Sequence, residues 1–324
     1  MKYSYSSNFK AFIEGLVQQK NAVGYKYERA EYYLWTFDRF CMAKFPDETI
    51  LSRHIVMQWA ERKQKEGIGA QKNRLTYIRE LAKYMIGLGI DDAYVIPERL
   101  GGKTTRRIPH FFTKKELHAF FSASDRLKHG SHSMARHLVL PVIFRVIYCC
   151  GLRSWEARLL RVEDVNLYAG KLTIRASKGP KDRIVMLADD VLQLCRTYHE
   201  RVSCILPDRI YFFPTDVAGC YRSSSLIMAF TKIWKQAGLE TYSGSKPHVQ
   251  DLRHNFALVN LNHWVEAGEN FCAKLPYLSR FMGHANLKST DYYLHFVPEF
   301  FPVFKEKTRE TFDALIPEAD YEKA

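Results

Sequence analysis

Between Pro97 and Pro109 the chain loses its apolar periodicity. The run Pro-Glu-Arg-Leu-Gly-Gly-Lys-Thr-Thr-Arg-Arg-Ile-Pro offers two prolines, a glycine pair and four basic side chains, but no face to bury. A stretch of this kind continues neither a helix nor a strand, so it splits the chain into two folding units of ordinary domain size. The expected boundaries are residues 1–96, a basic linker at 97–112, and residues 113–324. Lys103, Arg106 and Arg107 give the linker its charge; they either follow a phosphate backbone or sit in solvent.

The unit ahead of the linker reads as four short helices. Phe9, Phe12, Ile13, Leu16 and Val17 recur at the i, i+3, i+4, i+7, i+8 spacing of one buried helical face. A second helix is expected over 27–43, with Tyr33, Phe37, Phe40 and Cys41 on one side, and a third carries Ile55 and Trp59. The fourth turns Leu75, Ile78, Leu81 and Met85 inward and leaves Arg74, Arg79 and Lys83 outside, as candidate contacts to an anion.

The second unit mixes elements. Thr113 and Glu116 have the spacing of a capping box, in which two otherwise unpaired backbone N–H groups are satisfied at a helix start. Helices are expected over 134–150 and 155–161. Lys171–Ala176 and Asp182–Leu187 then flank a Ser-Lys-Gly-Pro-Lys turn as the arms of a β-hairpin. Further helices are expected over 189–203, 222–236 and 249–263, with shorter ones at 277–283 and 287–293. The fold class is therefore mainly α with a small β-hairpin or sheet, an α+β arrangement in the second unit. After Pro298 an amphipathic tail, 298–324, carries Phe300, Phe301 and Phe304; it either packs on a neighbouring copy or folds back on its own unit.

Charge narrows the partner. The chain carries a formal +13 and a pI near 9.3, with Lys and Arg in excess on both sides of the linker. Two cationic units suit one polyanion, with nucleic acid the first candidate. No apolar run approaches the roughly 20 residues of a membrane span, and the start MKYSYSSNFKAF lacks the pattern of a secretory signal. The expectation is a soluble cytoplasmic protein. The seven cysteines form no C-x-x-C pair and no even framework, so neither zinc nor disulfides are expected, and no cofactor.

Four separated segments place chargeable groups where the chain turns. They are Cys150-Gly-Leu-Arg-Ser-Trp-Glu156, Ser177-Lys-Gly-Pro-Lys181, Pro247-His-Val-Gln-Asp-Leu-Arg-His254, and Gly283-His-Ala-Asn-Leu-Lys-Ser-Thr-Asp-Tyr-Tyr-Leu-His295. Singly each has a plain explanation: Arg153 a surface cation, Glu156 an acid at a helix start, Lys178 a turn residue, Tyr293 a core tyrosine. Together, in this order and spacing, they resemble the catalytic boxes of the tyrosine recombinase, or phage integrase, family over residues 113–297. Residues 1–100 resemble that family in helical pattern and position.

The resemblance implies a helical, SAM-like core-binding domain and a catalytic domain closing as a clamp around DNA. It implies site-specific cleavage and rejoining of strands through a 3′-phosphotyrosine, as in integration, excision or transposition of a mobile element. By resemblance Tyr293 is the nucleophile, Arg153 and Arg253 clamp the phosphate, and Lys178 is the general acid, with Lys181 as understudy; Gln250 and His284 complete the site. The partners implied are double-stranded DNA with paired half-sites, further copies of the chain from dimer to tetrameric synapse, and accessory DNA-bending or partner recombinase proteins. Neither metal nor ATP is implied. A type IB topoisomerase-like enzyme and a catalytically silent DNA-binding regulator share these features.

This sequence also departs from the family pattern. Gln250 stands where a histidine is usual; glutamine can bond a phosphate oxygen but is no base near neutral pH. His248 lies two residues earlier as a possible substitute, with Gln250 itself favoured. Trp155 occupies a position where a small residue is common. The stretch between Arg253 and His284 is long, and 262–275 is expected as an extra loop touching DNA or a partner subunit. Tyr292 adjoins Tyr293, but spacing from His284 favours Tyr293; His295 reads as a structural neighbour.

Overall fold

Helical periodicity in the first unit produces four helices in the computed structural model: α1 (Lys10–Ala22), α2 (Glu28–Lys44), α3 (Arg53–Ala60) and α4 (Ile68–Gly87). The structure describes residues 2–25, 27–100, 107–130, 134–175, 182–239, 246–284 and 286–294. Lys103, Arg106, the hairpin tip with Lys178 and Lys181, His295 and the tail from 298 lie outside the described residues. The chain divides into two compact units, Met1–Arg106 and Arg107–Ala324.

The first core gathers Phe9, Ile13, Leu16 and Val17 with Leu34, Phe37 and Cys41, Ile55 and Trp59, and Leu75, Ile78, Leu81 and Met85. In α2 the buried face is rotated toward Leu34 and Asp38, leaving Tyr33 and Phe40 at its margin. Asp38 is fully buried because it accepts hydrogen bonds from the Ser6 and Ser7 N–H groups and the Ser7 hydroxyl, which ties the N-terminal segment to α2. A buried carboxylate is tolerable only when paired in this way.

Arg74 is not outside, as its charge suggested. Residues 74, 78, 81, 82 and 85 form one stripe at helical spacing, and Arg74 takes its place in it at 2% exposed. Its guanidinium is satisfied by both Glu66 carboxylate oxygens at 2.9 and 2.8 Å, by the Glu61 carbonyl at 2.8 Å and by the Trp59 carbonyl. Arg79 is half-buried and donates to the Ile96 and Pro97 carbonyls, pinning the segment that follows α4. Lys83 alone of the three is exposed.

The second unit begins at the expected capping box: the Thr113 hydroxyl accepts from the Glu116 N–H, and the Glu116 carboxylate accepts from the Thr113 N–H. There follow α5 (Lys114–Asp125), the buried central helix α6 (Arg136–Cys150) and the short α7 (Ser154–Arg158). The sheet has three antiparallel strands in the order β1 (Val165–Asn166), β2 (Lys171–Ile174), β3 (Arg183–Met186), one more than the expected hairpin. Lys171 pairs with Met186 and Ile174 with Arg183. The chain continues through α8 (Asp189–Ser203), α9 (Ser223–Gln236), α10 (Val249–Glu266), α11 (Phe271–Met282) and α12 (Lys288–Asp291).

Two expectations change here. The extra loop at 262–275 is mostly helix: α10 runs to Glu266 and α11 starts at Phe271. Trp264 and Val265 pack on a small separate core of Ala257, Leu261, Leu275, Leu278, Met282 and Tyr293, which prolongs α10, while the Asn270 side chain caps α11 by accepting from the Ala273 N–H. Residues 107–112, read from composition as linker, are bonded to α10. Arg107 pairs with both oxygens of fully buried Asp251, and the Asn255 amide bonds the backbone of His110 and Phe112. Arg107 is thereby committed within the chain rather than left to follow a phosphate backbone.

Candidate active site

Arg153 owes its position to a helix that stops abruptly. At the end of α6, Gly151 adopts φ 59°, and a Cβ there would come within 2.5 Å of the Phe256 ring. Only glycine permits both the left-handed turn and that approach. The turn puts Arg153 at the start of α7, where it donates to Glu156 Oε1 at 2.8 Å and to the Gly283 carbonyl at 2.6 Å.

Arg253 enters from the first turns of α10 and is 2% exposed. It donates to the Gly151 carbonyl at 2.6 Å and the Met282 carbonyl at 2.7 Å, the carbonyl ends of α6 and α11. Helix C-termini carry partial negative charge, so they suit a buried cation. Burial, and then the charge of Arg153, lower its pKa to about 10, which leaves it protonated near neutral pH.

Beneath both arginines lies Glu156, a residue with only a plain helix-start reading in sequence. It accepts from the Arg153 backbone and side chain and, through both oxygens, from Arg183 at 2.8 Å; Arg253 stands 4.0 Å away. Burial alone would raise the Glu156 carboxyl, but Arg183 and Arg153 outweigh it and hold the group below the usual carboxylate range. Three guanidinium groups share one carboxylate, so the cluster keeps a surplus of positive charge for an outside anion.

Arg183 had no assigned role in the sequence, although a signal was present. In β3 the side chains of Ile184 and Met186 are exposed while Val185 is buried, so period-two alternation sends Arg183 inward with Val185. There it also donates to the Phe281 carbonyl at 2.9 Å. A Cβ on Gly283, whose φ is 68°, would meet the Arg183 guanidinium at 2.8 Å, which accounts for glycine before His284.

His284 Nδ1 lies 2.7 Å from the Thr290 hydroxyl, which ties the histidine to the turn leading to Tyr293. Burial, followed by Arg253, Arg153, His254 and Arg183, drives its pKa down to about 3. It is therefore a neutral hydrogen-bonding group near pH 7. The Tyr293 ring is 2% exposed within the small core it shares with Ala257, Leu261 and Met282 and lies 6.3 Å from the His284 ring; its hydroxyl is 2.7 Å from His254 Nδ1. Tyr292 sits beside it, half-buried, with ring centroids 5.7 Å apart. Gln250 is half-buried, and its Oε1 is 3.5 Å from the Ser154 N–H beside Arg153. His248 is exposed and begins α10 instead. The structure thus joins Arg153, Gln250, Arg253, His284 and Tyr293, and adds Glu156, Arg183 and His254.

A family model described as the phage integrase family matches residues 110–299. The chain is similar to the integrase/recombinase-type protein y4rB of Sinorhizobium fredii, 27% identical over 300 residues, covering 90% of this chain and 94% of that one. It is also similar to a tyrosine recombinase of Pseudothermotoga lettingae, 25% identical over 260 residues, covering 80% and 78% of the two chains. Among solved structures, the fold resembles XerH site-specific recombinase bound to palindromic difH substrate in a post-cleavage complex. That match has a TM-score of 0.62 and 19% identity, and covers 93% of this chain and 84% of that one.

Proposed function

The chain belongs to the phage integrase family of recombinases, and from that premise we propose that it cuts and rejoins specific DNA sites through a 3′-phosphotyrosine on Tyr293. The observation that carries this reading is the Tyr293 hydroxyl held beside a cluster in which three guanidinium groups share one carboxylate. The tyrosine oxygen attacks a phosphodiester, displaces the 5′-hydroxyl and retains the 3′-phosphate; a second 5′-hydroxyl reverses the step. Arg153 and Arg253 stabilise negative charge on the non-bridging oxygens. Gln250 donates to a phosphate oxygen, and Lys178 supplies the proton to the leaving 5′-oxygen. Because the guanidinium groups supply the positive charge and the covalent bond conserves the phosphodiester energy, the reaction needs neither metal nor ATP.

Residues 1–96 form the core-binding domain in this reading, with exposed Lys83 as one phosphate contact. The +13 charge makes affinity fall steeply with salt. The substrate is duplex DNA with paired half-sites, bound by dimers that assemble into a tetramer through the 298–324 tail, with DNA-bending or partner recombinase proteins assisting. The palindromic substrate of the XerH neighbour supports the half-site reading, and the phage integrase family supports integration and excision of a mobile element in the bacterial cytoplasm, on the nucleoid.

The test is a nicked suicide duplex cut from the ends of the DNA element that carries the gene, resolved on a denaturing gel. A covalent band is expected for the wild type and for Tyr292→Phe, and none for Tyr293→Phe. Tight binding of the site with no wild-type band would replace this reading with a DNA-binding regulator.

A further inference from the structure

The Tyr293 proton needs an acceptor, because a free tyrosine has a pKa of about 10. The position usually held by histidine is Gln250, whose amide takes no proton near neutral pH. His284 is a poor acceptor as well: burial and then the surrounding arginines push its pKa to about 3, and it is engaged through Nδ1 with Thr290.

We propose that His254 is the base for Tyr293 in this chain, filling the role that Gln250 cannot. This rests on the reading of Tyr293 as nucleophile. His254 follows Arg253 on α10, so one helical step places the guanidinium inward and the imidazole against the tyrosine hydroxyl, Nδ1 to Oη 2.7 Å, with the rings 5.5 Å apart. That separation is within direct proton-transfer reach. The titratable groups facing it are Tyr293, with Tyr292 beside that ring, and His284 after α11, while Arg253 precedes it on its own helix; Arg153 and Arg183 act on His284 in turn.

The step balances. As Tyr293 Oη bonds to phosphorus, its O–H bond breaks and the proton moves to His254 Nδ1, with the ring's other nitrogen keeping its own hydrogen. The P–O5′ bond breaks, and the 5′-oxygen takes a proton from Lys178. On rejoining, the incoming 5′-hydroxyl returns its proton to Lys178, and His254 returns its proton to the departing tyrosine oxygen.

A buried tyrosine hydroxyl also needs a hydrogen-bond partner for packing reasons alone, so the test separates basicity from bonding. His254→Asn keeps a polar group at the Nδ1 position and removes the base. Single-turnover formation of the covalent adduct on the nicked duplex is followed from pH 5 to 9 for wild type, His254→Asn and His254→Asn with Gln250→His. The wild-type rate is expected to rise with pH along an imidazole limb. The asparagine variant should lose about 100-fold at pH 7 together with that limb, and the added histidine should restore part of both. Should the asparagine variant melt early, its rate is taken per folded molecule at a temperature below its melting point. A His254 variant that cleaves at the wild-type rate with the acid limb intact would overturn the assignment. An adduct that forms on no tyrosine even in the wild type would instead remove the strand-transfer reading, and the base with it.

Discussion

Arg74 in the first unit and Arg253 in the second are both 2% exposed, yet their surroundings differ in kind. Arg74 meets a carboxylate of its own: Glu66 binds it through two oxygens and is held below the usual range by that hydrogen bond, while the Trp59 ring lies 5.0 Å beneath. Arg253 meets carbonyl dipoles, and the carboxylate 4.0 Å away is already bonded to Arg153 and Arg183. A buried cation with its own counter-ion closes a structure. One held by dipoles beside other cations stays open to an anion arriving from outside.

The contrast can be broken by removing each arginine. Arg253→Met is expected to slow covalent adduct formation by about 1000-fold, the scale of losing one preorganised donor to a developing charge, with a smaller loss of stability than in the Arg74 variant, from the two carbonyls it leaves unpaired. Arg74→Met should do the reverse. It strands Glu66 and costs about 3 kcal/mol in urea denaturation, with the adduct rate per folded molecule unchanged. Loss of chemistry without loss of stability in the Arg74 variant would erase the distinction between the two sites.

A smaller effect sharpens the same comparison by pH. His284 has a folded pKa of about 3, below the ordinary histidine value near 6.5. The unfolded chain therefore binds a proton that the folded chain refuses. The stability this residue contributes is complete above pH 6.5 and is lost as pH falls toward 3. Melting temperatures measured between pH 7 and pH 4 should fall less steeply in His284→Asn than in the wild type. An equal slope would mean that neither burial nor the cationic cluster lowers the pKa of this ring.

Much of this was legible before any coordinates. The stripe of α1, the Thr113–Glu116 capping box and the arms of the hairpin rest on local spacing, and each follows from neighbours within one or two turns. The charge of Arg74 suggests an outward position, but its place in the α4 stripe turns it inward, and its counter-ion Glu66 lies before that helix begins. The sequence suggests an extra loop over 262–275 because the stretch between Arg253 and His284 is longer than the family pattern. That Trp264 and Val265 are core residues follows only once they are seen to pack with Leu275 and Leu278. His254 closes the Pro247–His254 segment without an evident role in the sequence, since nothing local connects it to a residue 39 positions away.

Sequence alone determined the helical character of both units, the family boxes and the residue types offered for chemistry, because helix and strand periods are written into consecutive residues. Tertiary structure decided which charges meet. Arg153 reaches the Gly283 carbonyl across 130 residues, Arg253 reaches the Gly151 carbonyl across 102, and Arg183 crosses from a strand to Glu156 and Phe281. Such contacts depend on how whole elements pack around the buried α6, and packing is a property of the assembled core rather than of any segment within it.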